Sequence, residues 1–283
     1  MRLISLERVA EALAALALGL VICGFLLTQS LDDPQTGGIL LFAGVAAGVV
    51  LLVGAGIAPA MADRGFPLVL LVLTLGLAPA VLAIMEIFHP HGFSSHVYEY
   101  LSTSHHLYFG PKWWIALHLV QTPLVAAVGF GLLLATRGIP GALAWIARIV
   151  TALFIVYYAA LDTIAGVAVG VLINHTTGWT GARGDAAHDL VQYLFGNTAV
   201  GGTGSALSEG GSWLAFCAFA LVALTLARAA APILAALLLA AGGVLIQIAH
   251  VNPYGPVGFA CVLAGGVLLI GWRARLPAVS SAP

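Results

Sequence analysis

Charge is scarce in this chain. Of its 283 residues only 7% are charged, 10 Lys and Arg against 11 Asp and Glu, where a soluble domain carries about 25%. That excludes a soluble enzyme and a disordered chain. The net charge of −1 excludes a nucleic-acid binder, which needs a basic face. Lysine is nearly missing. Lys112 is the only one, and it does not lie in the last apolar segment, so a retinal Schiff base of the rhodopsin kind is excluded. Cysteine amounts to Cys23, Cys217 and Cys261, each within an apolar segment. No C-x-x-C pair and no C-x-x-C-H attachment exists, and the thiols read as small apolar residues. A Walker loop, a G-x-S-x-G elbow and an H-E-x-x-H zinc motif are absent as well.

What is present is hydrophobic residue, 61% of the chain. A helix rises ~1.5 Å per residue and a hydrocarbon core is ~30 Å thick, so about 20 apolar residues make a span. In lipid the backbone must satisfy its own hydrogen bonds, which makes such runs helical. Runs at 9–29, 38–61, 66–88, 114–136, 142–173, 211–229, 231–251 and 255–272 meet the requirement. The expected fold is all-α: one polytopic membrane bundle of about eight helices, with residues 1–283 as a single domain. The first run follows Arg2 and Arg8, is too long for a cleaved signal and reads as a retained anchor. Turn chemistry separates the runs at Asp32-Asp33-Pro34, Asp63-Arg64-Gly65, Arg137 to Gly141 and Asn252 to Gly255.

Positive charge sets orientation. With the N-terminus in the cytoplasm, the inner side carries Arg2, Arg8, Arg64, Arg137, Arg148, Arg228, Arg273 and Arg275. The outer side carries Lys112 and Arg183. Both termini are therefore expected in the cytoplasm of a cell-membrane protein. All nine histidines then fall on or near the outer face. Long outer loops account for most of them, but not for His118 and His250, which sit in apolar segments.

Two long connections are expected outside. The one at about 89–113 holds His89, His91, His96, His105 and His106 with Tyr98, Tyr100, Tyr108, Phe109, Trp113 and Trp114. It reads as an interfacial aromatic belt or as a lid over an intramembrane pocket. The one at about 174–210 contains a short amphipathic helix. Ala187, Leu190, Val191, Leu194 and Phe195 share one face, and Asp185, His188, Asp189 and Gln192 the other. Asp185 is a candidate cap, and Gly196-Asn197 a stop. Gly201 to Ser205 reads as a flexible linker.

Ionisable groups inside spans are costly, so they point to function. Four helices each carry a polar pair three or four residues apart, hence on one face: Glu86 with His89, His118 with Gln121, Tyr158 with Asp162, and Gln247 with His250. Asp162, Gly166 and Gly170 also share a face, and small residues at that spacing allow close helix approach. If the four faces converge, they form a polar site in the outer leaflet.

Imidazole suits zinc, copper and iron, and carboxylates complete such shells. Glu86, His89, His118, Asp162 and His250 are thus candidate metal ligands, with Gln121, Tyr158 and Gln247 orienting them. His118 and His250 could instead be axial ligands of a haem b. The leading expectation is a metal- or haem-binding membrane protein with a redox or metal-handling role. The alternatives are a proton-coupled small-solute transporter with Asp162 titrating, and an accessory subunit whose polar pairs lock helices together. Expected partners are the bilayer and a second membrane protein or another copy of the chain, with no nucleic acid.

Overall fold

The computed structural model describes residues 66–90, 96–103 and 110–275. The expected spans at 9–29 and 38–61 lie outside the described residues, as do His91, His105, His106, Tyr108 and Phe109. The described part is helical throughout. Its helices are α1 (Leu68–Phe88), α2 (Val97–Thr103), α3 (Pro111–Ala135), α4 (Ala142–Thr176), α5 (Gly181–Phe195), α6 (Ala206–Arg228), α7 (Ile233–Ile248) and α8 (Tyr254–Arg275). Five of these are long and apolar enough to cross a membrane: α1, α3, α4, α6 and most of α8. The chain is compatible with a membrane protein on that ground. The six apolar segments expected from residue 66 onward each meet a helix here, with ends shifted by a few residues.

The long helices run alternately up and down, which collects their ends in two layers. One layer holds Arg137, Arg148, Arg228, Arg273 and Arg275, and is called here the arginine end. The other holds Glu86, His89, His118 and His250, the histidine end. Between them lies an apolar core that includes Leu75, Leu82, Leu132, Phe154, Phe219 and Leu239. α6 packs most closely on α4 and α7, and α7 on α8. α1 wedges between α3 and α8. A methyl group on Gly266 of α8 would stand 2.1 Å from the Leu75 carbonyl oxygen of α1, so only glycine permits that crossing.

Three helices depart from the expected lengths in ways that matter. α4 runs for 35 residues, about 52 Å at 1.5 Å per residue, which is longer than the ~30 Å that a hydrocarbon core requires. α7 has only 16 residues, about 24 Å, so its turn to α8, with His250, stops below the level that α4 reaches. α6 starts at Ala206 rather than near 211, because the Ser205 hydroxyl caps it by accepting from Ser208 N at 3.0 Å.

α2 and α5 are short and cover the histidine end. Val97 and Leu101 of α2 and Val191 and Phe195 of α5 share a second apolar cluster with Trp114, Ala165, Val169 and Ile173. The amphipathic reading of α5 holds for Ala187, Val191 and Phe195, which are buried, whereas Leu190 is exposed. Two local expectations are corrected. Asp185 is not the cap: the helix begins at Gly181 after Thr180, which leaves Asp185 inside it. The glycine stretch is a folded turn rather than a flexible linker. Gly202 N donates to Phe195 O (2.7 Å) and Gly201 N to Asn197 O (2.9 Å), while Asn197 Oδ1 accepts from Ala199 N and Val200 N. Glycine is needed there because a side chain at Gly201 would collide with those carbonyls and one at Gly202 with the Phe195 ring.

Candidate functional site: a buried histidine and carboxylate cluster

The site begins with the way α3 meets α4. A methyl group on Gly166 would lie 2.2 Å from His118 Cδ2, and one on Gly170 would lie 2.7–2.8 Å from Ile115 and Trp114. The small-residue face read from the sequence is therefore the crossing point, and the His118 ring lies flat against it. α4 is wound as a π-helix over Asp162–Ala168. Such widened turns recur at functional sites. Within this one, the Ala165 carbonyl accepts from Trp114 Nε1 at 3.3 Å, which locks the tryptophan between α3 and α4.

His89 closes α1 and folds inward, where it is buried. Its ring is the hub of the cluster. It meets His118 edge-on at 5.3 Å between centroids, His250 at 5.1 Å and Trp114 at 5.4 Å. Trp114 also lies 4.3 Å from His118, and Tyr158 5.8 Å from His250. Two of the imidazoles are oriented by the backbone. His89 Nδ1 lies 2.7 Å from Pro90 O, and His118 Nδ1 lies 2.8 Å from Trp114 O. A carbonyl can only accept, so Nδ1 carries the hydrogen in both rings and Nε2 carries the lone pair.

Oxygen groups sit one turn deeper on the same helices. Glu86 precedes His89 by one turn and is completely buried, and Gln121 follows His118 by one turn and is completely buried. Asp162 is buried at the level of Thr122, roughly halfway along α3. The Thr122 hydroxyl donates to His118 O at 2.7 Å and lies 3.2 Å from Asp162 Oδ2. With one proton it serves one acceptor at a time. Glu86, Asp162 and Tyr158 are close enough to feel each other's charge, and Tyr158 faces Gln121. Both Glu86 oxygens are buried without a hydrogen-bond partner, and Gln121 and the Tyr158 hydroxyl have none beyond each other.

The four polar faces expected to converge are thus accounted for as follows. Glu86, His89, His118, Gln121, Tyr158, Asp162 and His250 come together. Gln247 does not join them: it is half-buried on α7 and makes no ring contact or hydrogen bond among the described residues. Trp114 and Thr122 are additions that the sequence reading did not place in the site. Thr122 stands four residues from His118, a spacing that could have marked it. Among the described residues no three His, Cys, Asp or Glu side chains form a ready-made metal cage.

Above the cluster, α2 is tied to α5. His188 Nε2 lies 2.6 Å from Glu99 Oε1, and His188 Nδ1 lies 3.2 Å from Asp189 Oδ1. Tyr98 adds its hydroxyl, which donates to Thr176 O at 3.1 Å. The hydrogen bond to Asp189, and then the one to Glu99, holds the His188 imidazole above its ordinary pKa. Partial desolvation raises Glu99, but its bond to its own backbone and its pairing with His188 outweigh that and leave it below the ordinary carboxylate value.

No protein-family model matches the chain. No curated protein and no solved structure matches it either. The functional reading therefore rests on the site itself.

Proposed function

We propose that this is a multi-pass cell-membrane protein that binds a transition-metal ion at its histidine end for a metal-handling or redox role. In this reading the chain has about eight spans, with both termini and the arginine end in the cytoplasm. The observation that carries it is the set of three imidazoles joined through His89, two of them with Nδ1 held by a backbone carbonyl. That second contact is how metal-binding histidines are oriented, because it presents a basic Nε2. Ring spacing fits as well. A metal–nitrogen bond of about 2.0–2.1 Å places two imidazole centroids on one tetrahedral ion about 5 Å apart. The rings now meet edge-on, so binding would turn their Nε2 atoms toward one point.

His89, His118 and His250 are the proposed nitrogen ligands. Glu86 and Asp162 lie beside them and supply negative charge. Zinc, copper and iron all suit such a set. A haem between His118 and His250 is less favoured, because the His89 ring is packed against both. The test is elemental analysis of untagged, detergent-purified protein. About one zinc, copper or iron per chain is expected, and His118→Ala and His250→Ala should each lose most of it. A folded sample never exposed to chelator that contains no metal would overturn the reading.

A second reading keeps a specific observation of its own. Asp162 is buried within the π-helical turn, with Thr122 as its side-chain partner. A proton-coupled small-solute transporter would use such a group. Asp162→Asn should then abolish flux while the protein still folds. The accessory-subunit reading is weaker, because polar pairs that merely lock helices are satisfied pairs. Here the two buried carboxylate oxygens of Glu86 are not.

A further inference from the structure

We infer that the oxygen layer adjoining the histidines binds a hard metal cation through oxygen, in addition to an ion on the imidazoles. This goes beyond the transition-metal reading, with which it shares the Glu86 and Asp162 carboxylates. The side chains concerned are Glu86, Asp162, Gln121, Tyr158 and Thr122. Together they offer two carboxylates, one amide oxygen and two hydroxyls. No nitrogen base and no thiol belongs to the set, and a donor set of this kind suits hard cations rather than zinc or copper.

Three observations point to a ligand. First, Glu86, Gln121 and Tyr158 are buried almost completely; both Glu86 carboxylate oxygens lack a hydrogen-bond partner, and Gln121 and Tyr158 have none beyond each other. A buried polar atom without a partner gives up its hydration and gets nothing in return. A bundle that needed only apolar packing at this level would carry leucine and phenylalanine. Second, the groups belong together. Glu86 and Asp162 interact electrostatically, both act on Tyr158, and Tyr158 faces Gln121. Thr122 reaches Asp162 Oδ2. Third, the elements that bring them together are widened or interrupted. Asp162 opens the π-helical turn, and Glu86 opens the last, tightened turn of α1. No Lys or Arg belongs to the set. A cation is the ligand class that satisfies two carboxylates and three neutral oxygens at once.

The experiment is thermal unfolding of the full chain in detergent, with a chelator that strips transition metals but leaves sodium. Choline chloride is the reference. Sodium, potassium, magnesium and calcium chloride are compared with it at matched ionic strength, the divalent arms without chelator. One of these cations is expected to raise the midpoint saturably by several degrees over choline, and the cation that does so names the ligand. Glu86→Gln and Tyr158→Phe should each remove that rise, while His118→Ala should keep it. Tyr158→Phe guards against a folding failure of the charge variant, since it keeps the ring and deletes a hydroxyl whose one partner among the described residues is Gln121. Equal response to every salt would overturn the inference, as would a full response in Tyr158→Phe and Glu86→Gln. The transition-metal reading fails by a different readout, the metal content, so the two failures are distinguishable.

Discussion

The two ends of the bundle treat their polar groups in opposite ways. At the arginine end, polar atoms close on one another. Arg148 donates to the carbonyls of Thr136 and Ile139, and Arg273 to those of Ala135 and Arg137. Both cations thereby cap the C-terminus of α3, where exposed carbonyls and the helix dipole favour positive charge. Each guanidinium also lies over a tryptophan, Arg148 over Trp145 and Arg273 over Trp272. At the histidine end the cluster is more deeply buried, yet the Glu86 carboxylate is left without a partner. A fold under selection for stability alone would close both ends the same way. On the proposed reading, the arginine end serves structure and the histidine end serves ligand binding.

The comparison can be broken most forcefully at Gly166. Gly166→Ala drives a methyl group into the His118 ring. Overpacking of this kind costs about 1–3 kcal/mol, and here it should also displace a proposed ligand. Unfolding midpoint and metal content should fall together; a normal value of both would mean that α3 and α4 do not cross as described.

Arg148→Ala should be milder and cleaner. Loss of its charged hydrogen bonds to Thr136 and Ile139 is worth about 1–2 kcal/mol. It should lower the unfolding midpoint without changing metal content or the response to salts. A change in either would show that the two ends are coupled.

The smallest effect belongs to the cover formed by α2 and α5. His188 has a raised pKa, so its contribution is complete below 6.5 and is lost as pH rises through the folded value. Glu99 has a lowered one, so its contribution is complete above 4.5 and is lost as pH falls through its folded value. The cover is therefore tightest between pH 4.5 and 6.5. Both side chains are a third or more exposed, so solvent screens the pair and the change is modest. Hydrogen exchange in α2, corrected for the intrinsic pH effect, should speed up between pH 6 and 8.5. Glu99→Gln should flatten that difference; an identical slope in the variant would remove the pair from the account.

Much of the architecture is legible in the chain. Apolar runs of span length, separated by Arg-Gly-Ile-Pro-Gly and Asn-Pro-Tyr-Gly turns, leave little choice about where helices lie. The i, i+3 and i, i+4 pairs place Glu86 with His89 and His118 with Gln121 on single faces, and Asp162, Gly166 and Gly170 mark a close crossing. What one helix face cannot reveal is its partner. Nothing in the local pattern says that His89 rather than Asp162 is the hub of the imidazoles. That follows from α1 ending in a tightened turn at Glu86–Phe88. Gln247 has the same spacing to His250 as the other pairs, yet α7 ends at Ile248. The helix phase is lost before His250, and the two residues face different ways. The glycine turn is hidden from the sequence for a similar reason. Its order comes from the carbonyls of Phe195 and Asn197, which composition does not report.

The shortness of α7 has a consequence for the bilayer. Ile233, Leu237, Val244 and Ile248 are exposed along it, so in the proposed membrane reading this helix would face lipid. An apolar wall about 24 Å tall beside a hydrocarbon layer of ~30 Å would be a mismatch, which lipids relieve by thinning locally. Thinning at the His250 end would draw headgroups and water toward the imidazoles, and the bilayer itself would then supply part of the approach to the proposed site.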